Sequence, residues 1–184
     1  MINRRIVLCA AAMAGVLALP LQAAAEPTEI NFGIISTEST QNLKTQWDPL
    51  LAEMAKKTGL KINPFFASDY AGIIEGMRFG KVQVAWYGNK SAMEAVDRAD
   101  GEVFAQTVNP DGTQGYYALL LANASNNALN TVDDVLKCDK SLTFGNGDPN
   151  STSGFLVPGV FIFSAKGIDP KTCLLYTSDA ADEL

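Results

Sequence analysis

An α/β protein with a largely parallel sheet is the fold class this sequence predicts, on three observations. From Glu29 onward, short apolar strands alternate with segments of helical period. The first strand, Glu29-Ile30-Asn31-Phe32-Gly33-Ile34-Ile35, becomes apolar on both faces toward its end, as strands covered from two sides do. The side chains that carry chemistry, Tyr70, Tyr87 and the Asn146 to Ser153 loop, fall where strands end, the edge at which open α/β sheets bind ligands.

Each element has its own local reason. Ser36-Thr37-Glu38-Ser39-Thr40 is a polar loop, read as solvated, with hydroxyls facing a ligand as the alternative. Leu43, Trp47, Leu51, Met54 and Ala55 recur at helical spacing, Lys56 and Lys57 occupy the last turn, and Gly59 stops the helix. Pro49 suits a first turn better than an interior, so the segment before it is expected to be a separate turn. Lys61 to Phe66 is the second strand, and Ser68-Asp69 caps a helix over Tyr70 to Phe79 whose Ile73, Ile74 and Met77 face inward. Val82 to Trp86 is the third strand, with Trp86 in the core, while Ser91 and Glu94 form a capping box that opens a helix to Ala99. Val103 to Val108 reads as a fourth strand ended by the turn Asn109-Pro110-Asp111-Gly112, and Tyr116 to Ala122 as a buried strand. Thr131-Val132-Asp133-Asp134 caps a short helix, Ser141 to Phe144 ends one more strand, and Phe155 to Phe163 is the apolar body of a last helix. Pro158 lacks the N–H that would bond Gly154, so that helix should kink.

With 184 residues, 47% of them apolar, and a net charge of -6, the chain fits one or two small domains. It has no basic patch, so nucleic acid is not expected as a partner. Residues 1–25 run from Asn3-Arg4-Arg5 through an apolar stretch, Ile6 to Leu21, to Ala23-Ala24-Ala25, the order of a cleaved secretory signal peptide. That stretch is short for a membrane span, and no membrane insertion is expected once it is removed. Leu8 before Cys9 argues against a lipid anchor. After cleavage Cys138 and Cys173 remain, and Cys138 is read as a lone thiol, outside any disulfide framework or metal cluster. The absence of histidine removes Ser-His-Asp and Cys-His machinery and most zinc sites, so the base of any enzyme would have to be a carboxylate or lysine; no catalytic group and no cofactor is expected.

The stretch with most chemical content is Phe144-Gly145-Asn146-Gly147-Asp148-Pro149-Asn150-Ser151-Thr152-Ser153-Gly154-Phe155. Asn150 to Ser153 falls at a helix start, where unpaired N–H groups and about half a positive charge receive anions, and Ser151, Thr152 and Ser153 add hydroxyls there. No Lys or Arg lies between Lys140 and Lys166, and Gly154 is followed by Phe155, which excludes a nucleotide P-loop. Local sequence leaves two readings open: an anion site held by neutral donors, or simply a well-capped helix. Asp148 has two readings as well, a local turn former or an acceptor for the proton of a monoprotonated oxyanion.

Asn31 to Ser39, Asp69 to Phe79, Ala85-Trp86-Tyr87-Gly88-Asn89, Ser91 to Ala99 and Phe144 to Pro158 closely resemble the periplasmic phosphonate-binding proteins of ABC transporters, with the likeness running from about Ile30 to about Lys171. The resemblance implies a two-lobed periplasmic-binding-protein fold of type II-like topology that closes on its ligand and delivers it to an inner-membrane permease with its ATPase. It implies that Tyr70 and Tyr116 donate hydroxyls to the phosphonate oxygens from one lobe, and that Ser151, Thr152 and Ser153 grip them from the other; Tyr87 and Asn150 are second-rank candidates. A first α/β lobe is expected over 26–118 and the start of an incomplete second lobe over 119–172. The family's histidine and amine-binding carboxylates come from later in the chain and have no counterpart here.

Cys173-Leu-Leu-Tyr-Thr-Ser-Asp-Ala-Ala-Asp-Glu183 departs from the family pattern and resembles a translated sequencing-library adapter, so 173–184 is expected to be a non-native tail. The chain as written is then expected to leave Phe161, Ile162 and Phe163 short of cover and to bind its ligand poorly. Two other functions compete. One is binding of phosphite, a phosphate ester or another tetrahedral oxyanion; the other is a secreted hydrolase using Ser151 or Thr152, for which no base is within reach.

Overall fold

The computed structural model describes residues 27–126 and 128–177, so the leader assigned to 1–25 lies outside the described residues. Strand β1 (Glu29–Ile34) is central in a three-stranded parallel sheet of order β2-β1-β3. It pairs with β2 (Lys61–Phe66) from Glu29↔Lys61 to Ile34↔Phe66, and with β3 (Val84–Trp86) from Phe32↔Val84 to Ile34↔Trp86. Helices α1 (Thr40–Thr58), α2 (Tyr70–Arg78) and α3 (Asn89–Ala99) make the crossovers and follow the last strand. Phe32, Ile34, Leu43 and Leu51 form one core with Trp47, Met54 and Trp86, and Ile35, Tyr70 and Ile73 form another with Phe65 and Tyr87. Each fully buried Ile in these cores contributes about 1.5–3 kcal/mol of apolar burial.

Helix α1 runs unbroken through Pro49, contrary to the separate turn expected. Ser39 caps its start, Gly59 closes its end with φ 73°, and packing of Leu43 and Trp47 before Pro49 and of Leu51 and Met54 after it carries the helix across the exposed proline. Helix α3 begins at Asn89, two residues before Ser91. Ser91 is therefore no N-cap: its Oγ reaches back to accept from Gly88 N–H at 3.0 Å, while Glu94 pairs with Lys90 at 3.3 Å.

Neither Val103 to Val108 nor Tyr116 to Ala122 forms a strand. The turn at Asn109 to Gly112 does form, with Asn109 N–H donating to Thr113 O at 2.9 Å and a single bridge between Val108 and Gln114. Beyond that bridge the apolar residues stand open, Tyr117 at 91% and Leu121 at 86% exposure. An apolar run becomes a strand only against a sheet edge, and no described strand pairs with these residues.

Helix α4 (Val132–Val135) is capped where the sequence implied, through a capping box of Thr131 and Asp134. Strand β4 (Thr143–Gly145) pairs in parallel with β5 (Leu175–Thr177). Between them Thr152–Leu156 and Gly159–Phe163 are π-helical, linked through Val157 and Pro158 and followed by a 3-10 turn, Ser164–Lys166; α5 (Pro170–Cys173) then leads into β5. The expected kinked α-helix is thus replaced by wider turns, as in Leu156 N–H to Ser151 O, 3.1 Å. Phe163 is buried against Phe144, Cys173 and Leu174, whereas Phe161 is exposed, so the expected loss of cover falls on only part of Phe161 to Phe163. Cys138 and Cys173 form a disulfide, which corrects the lone-thiol reading. The pairing follows from the return of α5 to β4, seen in Lys140 N–H to Cys173 O at 3.3 Å. Among the described residues no helix is long and apolar enough to cross a membrane.

Candidate functional site

The loop after β4 folds back on itself before it coils. Gly147 N–H donates to Gly154 O at 2.9 Å, and a Cβ on Gly147 would stand 2.9 Å from Gly154 Cα, so glycine alone permits this approach. Inside the pinch, Asn150 N–H donates to Asp148 Oδ1 at 2.7 Å and Ser151 N–H to Asp148 O at 2.8 Å. Ser151 is the extended N-cap, φ -77° and ψ 135°, and its Oγ accepts from Gly154 N–H at 3.1 Å. The plain-cap reading of this serine is thus correct as far as it goes.

The loop also lies on the amino ends of two helices of the first sheet. Asp148 Oδ2 accepts from Tyr70 N–H, the first residue of α2, at 3.0 Å. Thr152 Oγ1 accepts from Lys90 N–H, in the first turn of α3, at 2.8 Å. Gly88, the residue before α3, offers no side chain, and a Cβ built there would lie 3.4 Å from Thr152 Oγ1 and 3.7 Å from the Tyr116 hydroxyl. The Tyr70 hydroxyl lies beside Ser151. Burial holds that hydroxyl above its ordinary pKa, Asp148 and Tyr116 push it the same way, and the neighbouring Ser151 only partly offsets them.

Four of the sequence-derived candidates, Tyr70, Tyr116, Ser151 and Thr152, therefore meet in one place, with Asn150 and Ser153 half-buried beside them. Tyr87 does not join them: its hydroxyl lies 4.0 Å from Met77 Sδ, its ring packs in the core, and burial lifts its pKa to about 12. Sequence reasoning missed Gly88 and Lys90, whose contribution is backbone, and the reach of Asp148 to Tyr70. No group of His, Cys, Asp or Glu suited to a metal occurs among the described residues.

The arrangement is a set of neutral donors. Thr152 accepts a backbone N–H, which leaves its hydroxyl proton to be given away. Tyr70 remains a protonated phenol at neutral pH. The Lys90 ammonium is engaged with Glu94 at 3.3 Å. An oxyanion here would meet hydroxyls and the positive end of α3.

Fold and site together define an α/β protein of the periplasmic-binding-protein class. The chain belongs to the family of phosphonate ABC transporter periplasmic substrate-binding proteins, whose model matches residues 32–182. It is 61% identical over 149 residues to the phosphonates-binding periplasmic protein of Escherichia coli K12, covering 81% of this chain and 44% of that protein. It is 36% identical over 134 residues to the phosphate-import protein PhnD of Mycolicibacterium smegmatis, covering 72% of this chain and 40% of that one. A crystal structure of a binding protein of a Pseudomonas aeruginosa phosphonate transporter superposes with a TM-score of 0.78 at 57% identity, over 83% of this chain and 51% of that one. A Prochlorococcus marinus protein in complex with methylphosphonate shares the fold at a TM-score of 0.65 and 18% identity, over 84% of this chain and 57% of that one. The chain spans about half the length of the relatives it matches.

Proposed function

We propose that this chain is a periplasmic phosphonate-binding protein that delivers its ligand to an inner-membrane ABC permease with its ATPase, after export by the signal peptide over 1–25. Tyr70 and Tyr116 donate to the phosphonate oxygens from a first lobe over 26–118. Ser151, Thr152 and Ser153 donate from a second lobe beginning at 119–172, with Asn150 alongside, while the 173–184 tail stands outside this role. The observation that carries the reading is the meeting of the Tyr70, Tyr116, Ser151 and Thr152 hydroxyls from separate segments of the chain. A dianion loses its water on entering such a cleft, and each hydrogen bond to a charged oxygen returns about 1.5–3 kcal/mol. Four or five together leave about -8 kcal/mol, a micromolar affinity.

The role is capture, not catalysis. Ser151 and Thr152 accept backbone N–H groups, and the chain has no histidine to take their protons. An NMR titration with methylphosphonate, phosphite and phosphate tests the reading. Binding of methylphosphonate at about 1 mM or tighter is the expected result. Tighter binding of phosphite or phosphate moves the assignment to another tetrahedral oxyanion, a reading favoured by the 36% identical relative named for phosphate import. No response to any of the three overturns the proposal.

A further inference from the structure

Asp148 uses both carboxylate oxygens on backbone N–H groups. Oδ1 serves Asn150 on its own turn at 2.7 Å, and Oδ2 serves Tyr70 at 3.0 Å, 78 residues earlier in the chain. A turn former needs only the first bond. Helix α2 already has a local cap, since Asp69 Oδ1 accepts from Gly72 N–H at 2.7 Å. That cap leaves the Tyr70 N–H, the first of the helix, without an intrahelical partner, and Asp148 fills the gap. Tyr70 is also the residue whose hydroxyl lies beside Ser151, three positions beyond Asp148. The same loop thus holds the Tyr70 main chain and borders its ring hydroxyl. A carboxylate beside an anion site opposes the ligand by its charge, but this one rests on the positive end of α2, which balances part of that charge.

We infer that Asp148 is a positioning residue of the site: its carboxylate fastens the Asn150 to Ser153 loop to the amino end of α2 and so holds the Tyr70 and Ser151 hydroxyls together for the ligand. The inference deepens the phosphonate-binding reading and rests on it only for the ligand arm of the test.

The test compares the chain with its Asp148→Asn and Asp148→Ala variants by residue-resolved amide exchange and by methylphosphonate titration. In Asp148→Asn the single amide oxygen keeps the short local bond to Asn150, and the Tyr70 amide loses its acceptor. Its exchange is expected to quicken about tenfold or more, the effect of losing one charge-assisted bond, while the amides of Ile73 and Ile74 hold their rates. The methylphosphonate dissociation constant is expected to rise about tenfold over the same step. Asp148→Ala should release both Tyr70 and Asn150; if it fails to fold, the isosteric Asn variant decides. Tyr70 exchange within about threefold of the parent in the folded variants overturns the inference, as does a released Tyr70 amide with unchanged methylphosphonate affinity. Failure of the parent chain to bind methylphosphonate overturns the functional reading alone, and Tyr70 exchange still judges the Asp148 contact.

Discussion

Replacing Thr152 by valine exchanges a hydroxyl for a methyl of nearly the same shape, so the effects of the lost oxygen can be separated from those of packing. Two hydrogen bonds are at stake. The first is present in the structure: Lys90 N–H donates to Thr152 Oγ1 at 2.8 Å, and valine leaves that half-buried donor without its acceptor. Such an orphan costs about 1–3 kcal/mol of stability, visible as a lower midpoint of urea unfolding. The second is the bond the hydroxyl proton would make to a phosphonate oxygen, about 1.5–3 kcal/mol, or roughly 10- to 150-fold in affinity. The Thr152→Ser variant keeps the oxygen and serves as the control, with a dissociation constant expected within about threefold of the parent. An NMR titration with methylphosphonate reads both. Equal affinity of the valine variant and the parent would refute the reasoning, because Thr152 would then be only a cap for α3.

Three further outcomes follow from the same geometry. Ile73 is fully buried, at 0% exposure, between β1 and α2, and Ile73→Ala should lower the unfolding free energy by about 2–5 kcal/mol in a denaturant titration. Gly147→Ala places a methyl 2.9 Å from Gly154 Cα, a backbone atom that cannot swing aside; it should cost about 1–3 kcal/mol and speed exchange of the 147 amide. Burial lifts Tyr87 to about 12 and moves Tyr70 upward too, while in the unfolded chain both ionise near their ordinary value of 10.0. Above about pH 10 the unfolded state therefore holds fewer protons, so stability is full below that pH and falls as pH rises through the folded values, which melting curves from pH 8 to 12 would follow.

The first sheet and its helices were legible because their signals are local. Asp69 and Gly59 cap what they look able to cap, and the spacing of Leu43, Trp47 and Leu51 already shows which face is buried. What stayed hidden depends on residues distant in sequence. Tyr116 to Ala122 has the composition of a buried strand, but composition states only what could pair, and no described edge receives it. The disulfide joins positions 35 apart, a spacing that carries no signal until α5 brings Cys173 beside Cys138. The site divides the same way. Hydroxyls at a helix start were readable from Ser151-Thr152-Ser153, and the resemblance supplied Tyr70 and Tyr116. Asp148 was readable as a turn former from its place before Pro149 and Asn150. Its second bond spans 78 residues and had no trace in the sequence.

The central claim is that a phosphonate is held by uncharged hydroxyls and amides where the Ser151 to Gly154 turn meets the amino end of α3. The most direct measurement is the set of backbone amide shifts in the NMR spectrum on adding methylphosphonate. Saturable shifts confined to Tyr70, Gly88 to Ser91, Tyr116 and Asn150 to Gly154 are the predicted result. Shifts that spread over exposed lysines such as Lys56, Lys57 and Lys61, or that fail to saturate, would contradict it.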